Sequence, residues 1–112
     1  MTTQPFTSLP TPEIKNRAGF FDMLASTTTE IDGLVAREPA YQVWGLLQRQ
    51  LHAMRLWTTS GKDPTAEQRT RVSIGLVAAR ELEPAPDALM ENLITRLHLL
   101  NYYWRRWPAV GG

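Results

Sequence analysis

Residues 90–107 read MENLITRLHLLNYYWRRW, and the spacing within them decides the fold. Met90, Leu93, Leu97, Leu100, Trp104 and Trp107 succeed one another at steps of three, four, three, four and three. On a helix such steps draw one unbroken apolar seam. Asp87 stands where a side-chain oxygen would cap the first turn. Trp104 and Trp107 belong to the seam and so to a core. Tyr102, Tyr103, Arg105 and Arg106 lie off it and are expected on the surface.

Working outward, EPAP at Glu83–Pro86 separates this helix from another. That helix starts near Thr65, where Thr65 and Gln68 have capping-box spacing. Its expected stripe is Val72, Leu76, Ala79 and Leu82, widened by Ile74, Val77 and Ala78. Gly75 inside it costs about 1 kcal/mol against alanine, which points to close approach by a neighbouring helix.

Before TTSGKDP, a turn by composition, the stripe Trp44, Leu47, Leu51, Met54 and Trp57 predicts a helix beginning at Pro39. A first helix is predicted from a Thr11 cap with Pro12 and Glu13 in its opening turn. Phe20, Phe21, Leu24, Thr28, Ile31, Leu34 and Val35 line one face of it, and Ser26–Thr29 should loosen its middle. Pro39 ends it, because the residue before proline is pushed out of the α region. Residues 1–12 read as an extended Pro/Thr-rich leader and 13–112 as a single helical domain. No strand pattern occurs. The expected fold is all-α, an up-and-down antiparallel bundle of about four helices.

Composition narrows function. The chain has 112 residues, no cysteine and a net charge of +1. A balanced charge provides no global field for phosphate backbones or anionic lipid, and no apolar run nears the ~20 residues that span a bilayer. The N-terminal residues lack the pattern of a signal peptide, so a cytoplasmic protein is expected. No phosphate-binding glycine loop, Glu-x-x-His pair or His-Glu-x-x-His motif is present. His52 and His98 flank seam leucines and should be solvated or lightly hydrogen-bonded. The reading is therefore a non-enzyme without cofactor or metal. Arg105 and Arg106 beside Tyr102 and Tyr103 could hold nucleic acid, but two cations also suit a helix C-terminus, and no nucleic-acid partner is expected. Tyr, Trp and Arg dominate protein interfaces, so Tyr102 and Tyr103 beside Arg55 or Arg105 form a candidate anchor patch.

The order of the segments IDGLVAREPAYQV, QRQLHAMR, RVSIGLVAARELE and NYY resembles a known family. They are similar to the immunity proteins that neutralise type VI secretion toxins of the NAD(P)+ glycohydrolase kind, of Pseudomonas type. The resemblance rests on Arg37-x-Pro39-x-Tyr41, Gln50-Leu51 with Arg55, Arg71-x-x-x-Gly75 leading to Glu81, and Tyr102-Tyr103. It covers residues 20 to 104, and the leader and Trp-Arg-Arg-Trp-Pro tail lie beyond it. It implies a helical protein that plugs the active-site cleft of a cognate toxin and performs no catalysis. A cleft that binds pyrophosphate would be cationic, so Glu81, Glu83 and Asp87, expected around one interhelical turn, would supply phosphate-like carboxylates. Gln50, Arg55, Tyr102 and Tyr103 would complete the contact. Alternatives are a helical adaptor or secretion chaperone, and immunity to an ADP-ribosyltransferase or alarmone synthetase. A homodimer of the free protein on its Trp-rich end stays open.

Overall fold

The computed structural model describes residues 11–107, and every regular element among them is helical. Helix α1 spans Arg17–Arg37 and α2 spans Gln42–Trp57. A 3-10 turn at Thr59–Gly61 precedes α3, Ala66–Thr70, and α4, Ile74–Val77. A π-helical turn over Ala78–Leu82 follows, and α5, Ala88–Arg105, closes the described chain.

Cross-helix contacts fix the topology. Going back along α1 from Glu38 to Asp32 meets α2 going forward, through Trp44 to Gln48 and His52. Gln50 meets Ser73 while Tyr41 meets Glu81, so α2 runs opposite to the α4 stretch. Gly75 meets Asn101 while Glu83 meets His98, and Phe20 meets Tyr103 while Glu30 meets Arg96. Four antiparallel packings thus close a ring, α1–α2–α4–α5–α1. The all-α bundle is the expected one.

The α5 seam forms as its spacing predicts. Leu93, Leu97, Leu100, Trp104 and Trp107 are buried, and Asp87 caps α5 by accepting the Met90 N–H at 2.9 Å. Burying side chains of this size contributes about 1.5–3 kcal/mol each. One end of the core is aromatic. Phe20 stacks on Tyr103 with centroids 4.7 Å apart and meets Trp107 edge-on at 5.2 Å, and Trp104 stacks on Trp57 at 6.2 Å. Arg17 clasps this end. It donates to Asp63 at 2.8 Å and to the Gly61 carbonyl at 3.1 Å, and its guanidinium lies 4.7 Å over the Trp107 ring. Asp63 also accepts the Trp107 indole N–H at 3.1 Å. The hydrogen bond from Arg17, and after it the one from Trp107, holds the Asp63 carboxyl below the usual carboxylate range.

Several sequence expectations are corrected. The α1 cap is Asn16, which accepts the Gly19 N–H at 2.8 Å, and Thr11 and Pro12 precede the helix. A short amide directly before the first core aromatic captures the start. The threonine run does not loosen α1. Thr28 and Thr29 donate to the carbonyls four residues back, at 2.6 and 3.1 Å, so their hydroxyls are satisfied within an intact helix. Helix α2 begins at Gln42 and not Pro39, because Glu38 ends α1 and its carboxylate receives the Trp44 indole N–H at 2.7 Å across a turn.

The largest correction concerns the third helix. The Thr65–Gln68 capping box forms as expected, but the helix breaks at Arg71–Ser73. The Gln50 amide holds the break, accepting the Ser73 N–H at 2.7 Å and donating to its hydroxyl at 3.1 Å. The break resets the helical phase. Ile74, Gly75, Ala78 and Leu82 face inward, while Leu76 is 56% exposed and Ala79 is exposed. Val72 is buried as expected. Gly75 proves to be a packing glycine: a Cβ there would lie 3.2 Å from the Asn101 Cβ. The Asn101 side chain instead accepts the Gly75 N–H at 2.7 Å.

Candidate functional site

The seven candidate contact residues do not form one patch. Tyr103 corrects the expectation of two exposed tyrosines. Only 6% of it is accessible, because its ring fills the space between Phe20 and Trp107. Tyr102 points away from the core and is 62% exposed. Its cationic neighbour is Arg106, 5.0 Å over the ring, in place of the expected Arg55 or Arg105. Arg55 belongs to the α1 side of α2, where its charge acts on Asp32. There the hydrogen bond from Gln48, then that from His52, lowers the Asp32 pKa, with Arg55 a lesser contributor. Gln50 is committed to Ser73 and shapes the fold from within.

The three carboxylates expected around one turn are parted. Glu83 lies 2.7 Å from the His98 Nε2, and Asp87 caps α5, both beside a depression along that helix. Glu81 opens onto the other side, toward α2. Buried Leu82 sits between them, and the chain turns from π-helix to extended backbone at Glu83, so the flanking side chains diverge.

On the Glu81 side is a groove of about 490 Å³. Val43 and Leu46 of α2 and Leu76 and Val77 of α4 give it an apolar floor, and Arg49, Arg80 and Glu81 form its rim. Tyr41 braces the rim by donating its hydroxyl to the Glu81 carbonyl at 3.3 Å. Leu46 and Tyr41 are themselves partly exposed. The sequence reading missed this groove because it placed Leu76 in the core and left Leu46 unassigned. The available signal was Leu46, an apolar residue off the Trp44–Leu47–Leu51 stripe.

No group of three His, Asp or Glu able to hold a metal occurs among the described residues, and no helix there is long and apolar enough to cross a membrane. What the geometry offers is apolar area rimmed by charge, the chemistry of protein contact.

Comparison with known proteins agrees with that character. No curated protein and no solved structure matches the chain. A family model described as Tsi6 matches residues 20–103, from the first core aromatic of α1 through Tyr103 of α5. That span covers all four antiparallel packings, and so the chain belongs to the Tsi6 family of type VI secretion immunity proteins.

Proposed function

We propose that this protein protects its own cell, from within the cytoplasm, by occluding the dinucleotide cleft of a cognate type VI secretion toxin with NAD(P)+ glycohydrolase activity. The observation that carries the proposal is membership of an immunity family over residues 20–103. The helical fold agrees with it, since a rigid bundle binds without reorganising. The toxin turns over many cofactors, so an effective inhibitor must leave almost none of it free. That needs nanomolar binding, about −12 kcal/mol, over an interface of roughly 1,600 Å².

In this proposal Glu83 and Asp87 present carboxylates to a cleft built for pyrophosphate, Glu81 stands apart from them on the side facing α2, and Tyr102 supplies an exposed aromatic contact. Gln50 and Tyr103 act indirectly, by shaping the α4 segment and the α5 end. Arg55 remains an exposed cation on the α1 side of α2.

The test is the cellular NAD(P)+ pool after induction of the cognate toxin domain, with and without this protein. The expected result is a pool that collapses with toxin alone and is preserved on co-expression. Rescue from a toxin that leaves the pool intact would keep the immunity role and replace the chemistry, an ADP-ribosyltransferase or alarmone synthetase being next in line. Absence of rescue would favour an adaptor or secretion chaperone.

A further inference from the structure

We infer that the groove between α2 and α4 is where the toxin is anchored, and that it takes a toxin segment presenting an aliphatic side chain beside a carboxylate. This rests on the immunity reading and deepens it by naming the surface and the chemistry that fits it.

Charge makes the first argument. Arg49 and Arg80 flank the apolar floor, and among the described residues neither makes a hydrogen bond or an ion pair. Elsewhere Arg17, Arg71 and Arg96 each hold a carboxylate, at 2.8, 2.7 and 2.7 Å. Glu81 is the one acid on this rim, so the groove carries an excess of positive charge over an apolar base. Carboxylates on the partner would complement it, and arginines at an interface bind them in a fixed fork.

Construction makes the second. Leu76 is outward because the helix breaks at Arg71–Ser73 and restarts in a new phase. Intramolecular hydrogen bonds hold that arrangement from three sides: Gln50 at Ser73, Asn101 at Gly75, and Tyr41 at Glu81. The exposed leucine is therefore displayed by a braced wall, so little ordering remains to be done on binding. The opposite face of the same segment carries Glu83 and Asp87. A toxin gripped in the groove would reach those carboxylates only by extending past the Leu82 turn.

The test compares affinity for the purified cognate toxin domain, by calorimetry, across three full-length variants. Leu76→Asp, and separately the pair Arg49→Glu with Arg80→Glu, should weaken binding roughly 100-fold, the scale of interface hot spots. Lys62→Glu, on the far aromatic end, should stay within about threefold, as expected for a charge outside the interface. The changed side chains are exposed, so unaltered circular dichroism and thermal midpoints should accompany the loss. Groove variants that bind like the wild type would overturn the assignment while leaving immunity intact. The same holds if they only convert a dimer of the free protein to monomer, since the groove would then be a self-contact. A wild-type chain that neither binds nor protects would overturn both readings.

Discussion

The aromatic end of the bundle and the Arg71–Leu82 segment are built on opposite terms. At the aromatic end Phe20, Trp57, Tyr103, Trp104 and Trp107 fill one another's surfaces, and Arg17 and Asp63 cover them. The segment is a broken helix and a π turn that buries Val72, Ile74, Ala78 and Leu82 but takes its path from side-chain amides and a tyrosine hydroxyl. The first arrangement gains from buried area; the second gives up helical continuity and leaves a leucine in water. The difference teaches where the molecule places stability and where it places display. Helix irregularities of the π kind recur at functional sites.

Three measurements would break or sharpen that contrast. The largest effect is expected at Trp104, fully buried and donating its indole N–H to the Gln68 carbonyl at 3.1 Å. Trp104→Ala should cost about 3–5 kcal/mol in chemical denaturation, a large share of a typical domain's stability. A loss below about 1 kcal/mol would mean that the aromatic end is not the main store of stability.

A middle effect is expected at Asn101, the buried amide that receives the Gly75 N–H. Asn101→Ala strands that donor and should cost about 1–3 kcal/mol. The groove should loosen with it, read as faster amide exchange around Gly75. Unchanged exchange would show that the α4 segment is held by something other than this bond.

The smallest effect is a pH dependence of the clasp. The Asp63 pKa is lower folded than unfolded, through the hydrogen bonds from Arg17 and Trp107. The folded state therefore binds fewer protons there, and the contribution is present above the unfolded carboxylate value. It disappears as pH falls through the folded value, which lies below that of an ordinary carboxylate. Wild type should exceed Asp63→Asn in thermal midpoint near neutrality, and the gap should close in acid. A gap independent of pH would assign the effect to packing and not to charge.

What was legible in the sequence is what is local. The α5 seam, the Asp87 cap and the Thr65–Gln68 box depend on residues three and four apart, and each stands where spacing placed it. What was illegible depends on distant partners. Gln50 looked like a contact residue but reaches Ser73, 23 positions on, and breaks a helix there. Tyr103 looked exposed because it lies off the seam, yet Phe20 of α1 covers it. Of the candidate site, the chain segments were recognisable but their faces were not. A phase shift at Ser73 sent Leu76 outward, and the turn at Leu82 sent Glu81 and Glu83 to opposite sides.

The closed ring of packings has a kinetic consequence. Three of its seams join helical stretches that lie closer in sequence, with bonded pairs between 6 and 40 positions apart. The fourth, between α1 and α5, must bring together residues roughly eighty positions apart, a loop-closure cost of about 4 kcal/mol beyond a constant. Phe20 meets Tyr103 and Trp107 on that seam. Much of the aromatic packing therefore sits where the chain loses the most freedom. Contacts of such high sequence separation are the kind that slow folding, so weakening the Phe20–Tyr103 contact is expected to lower the folding rate if the seam forms in the transition state.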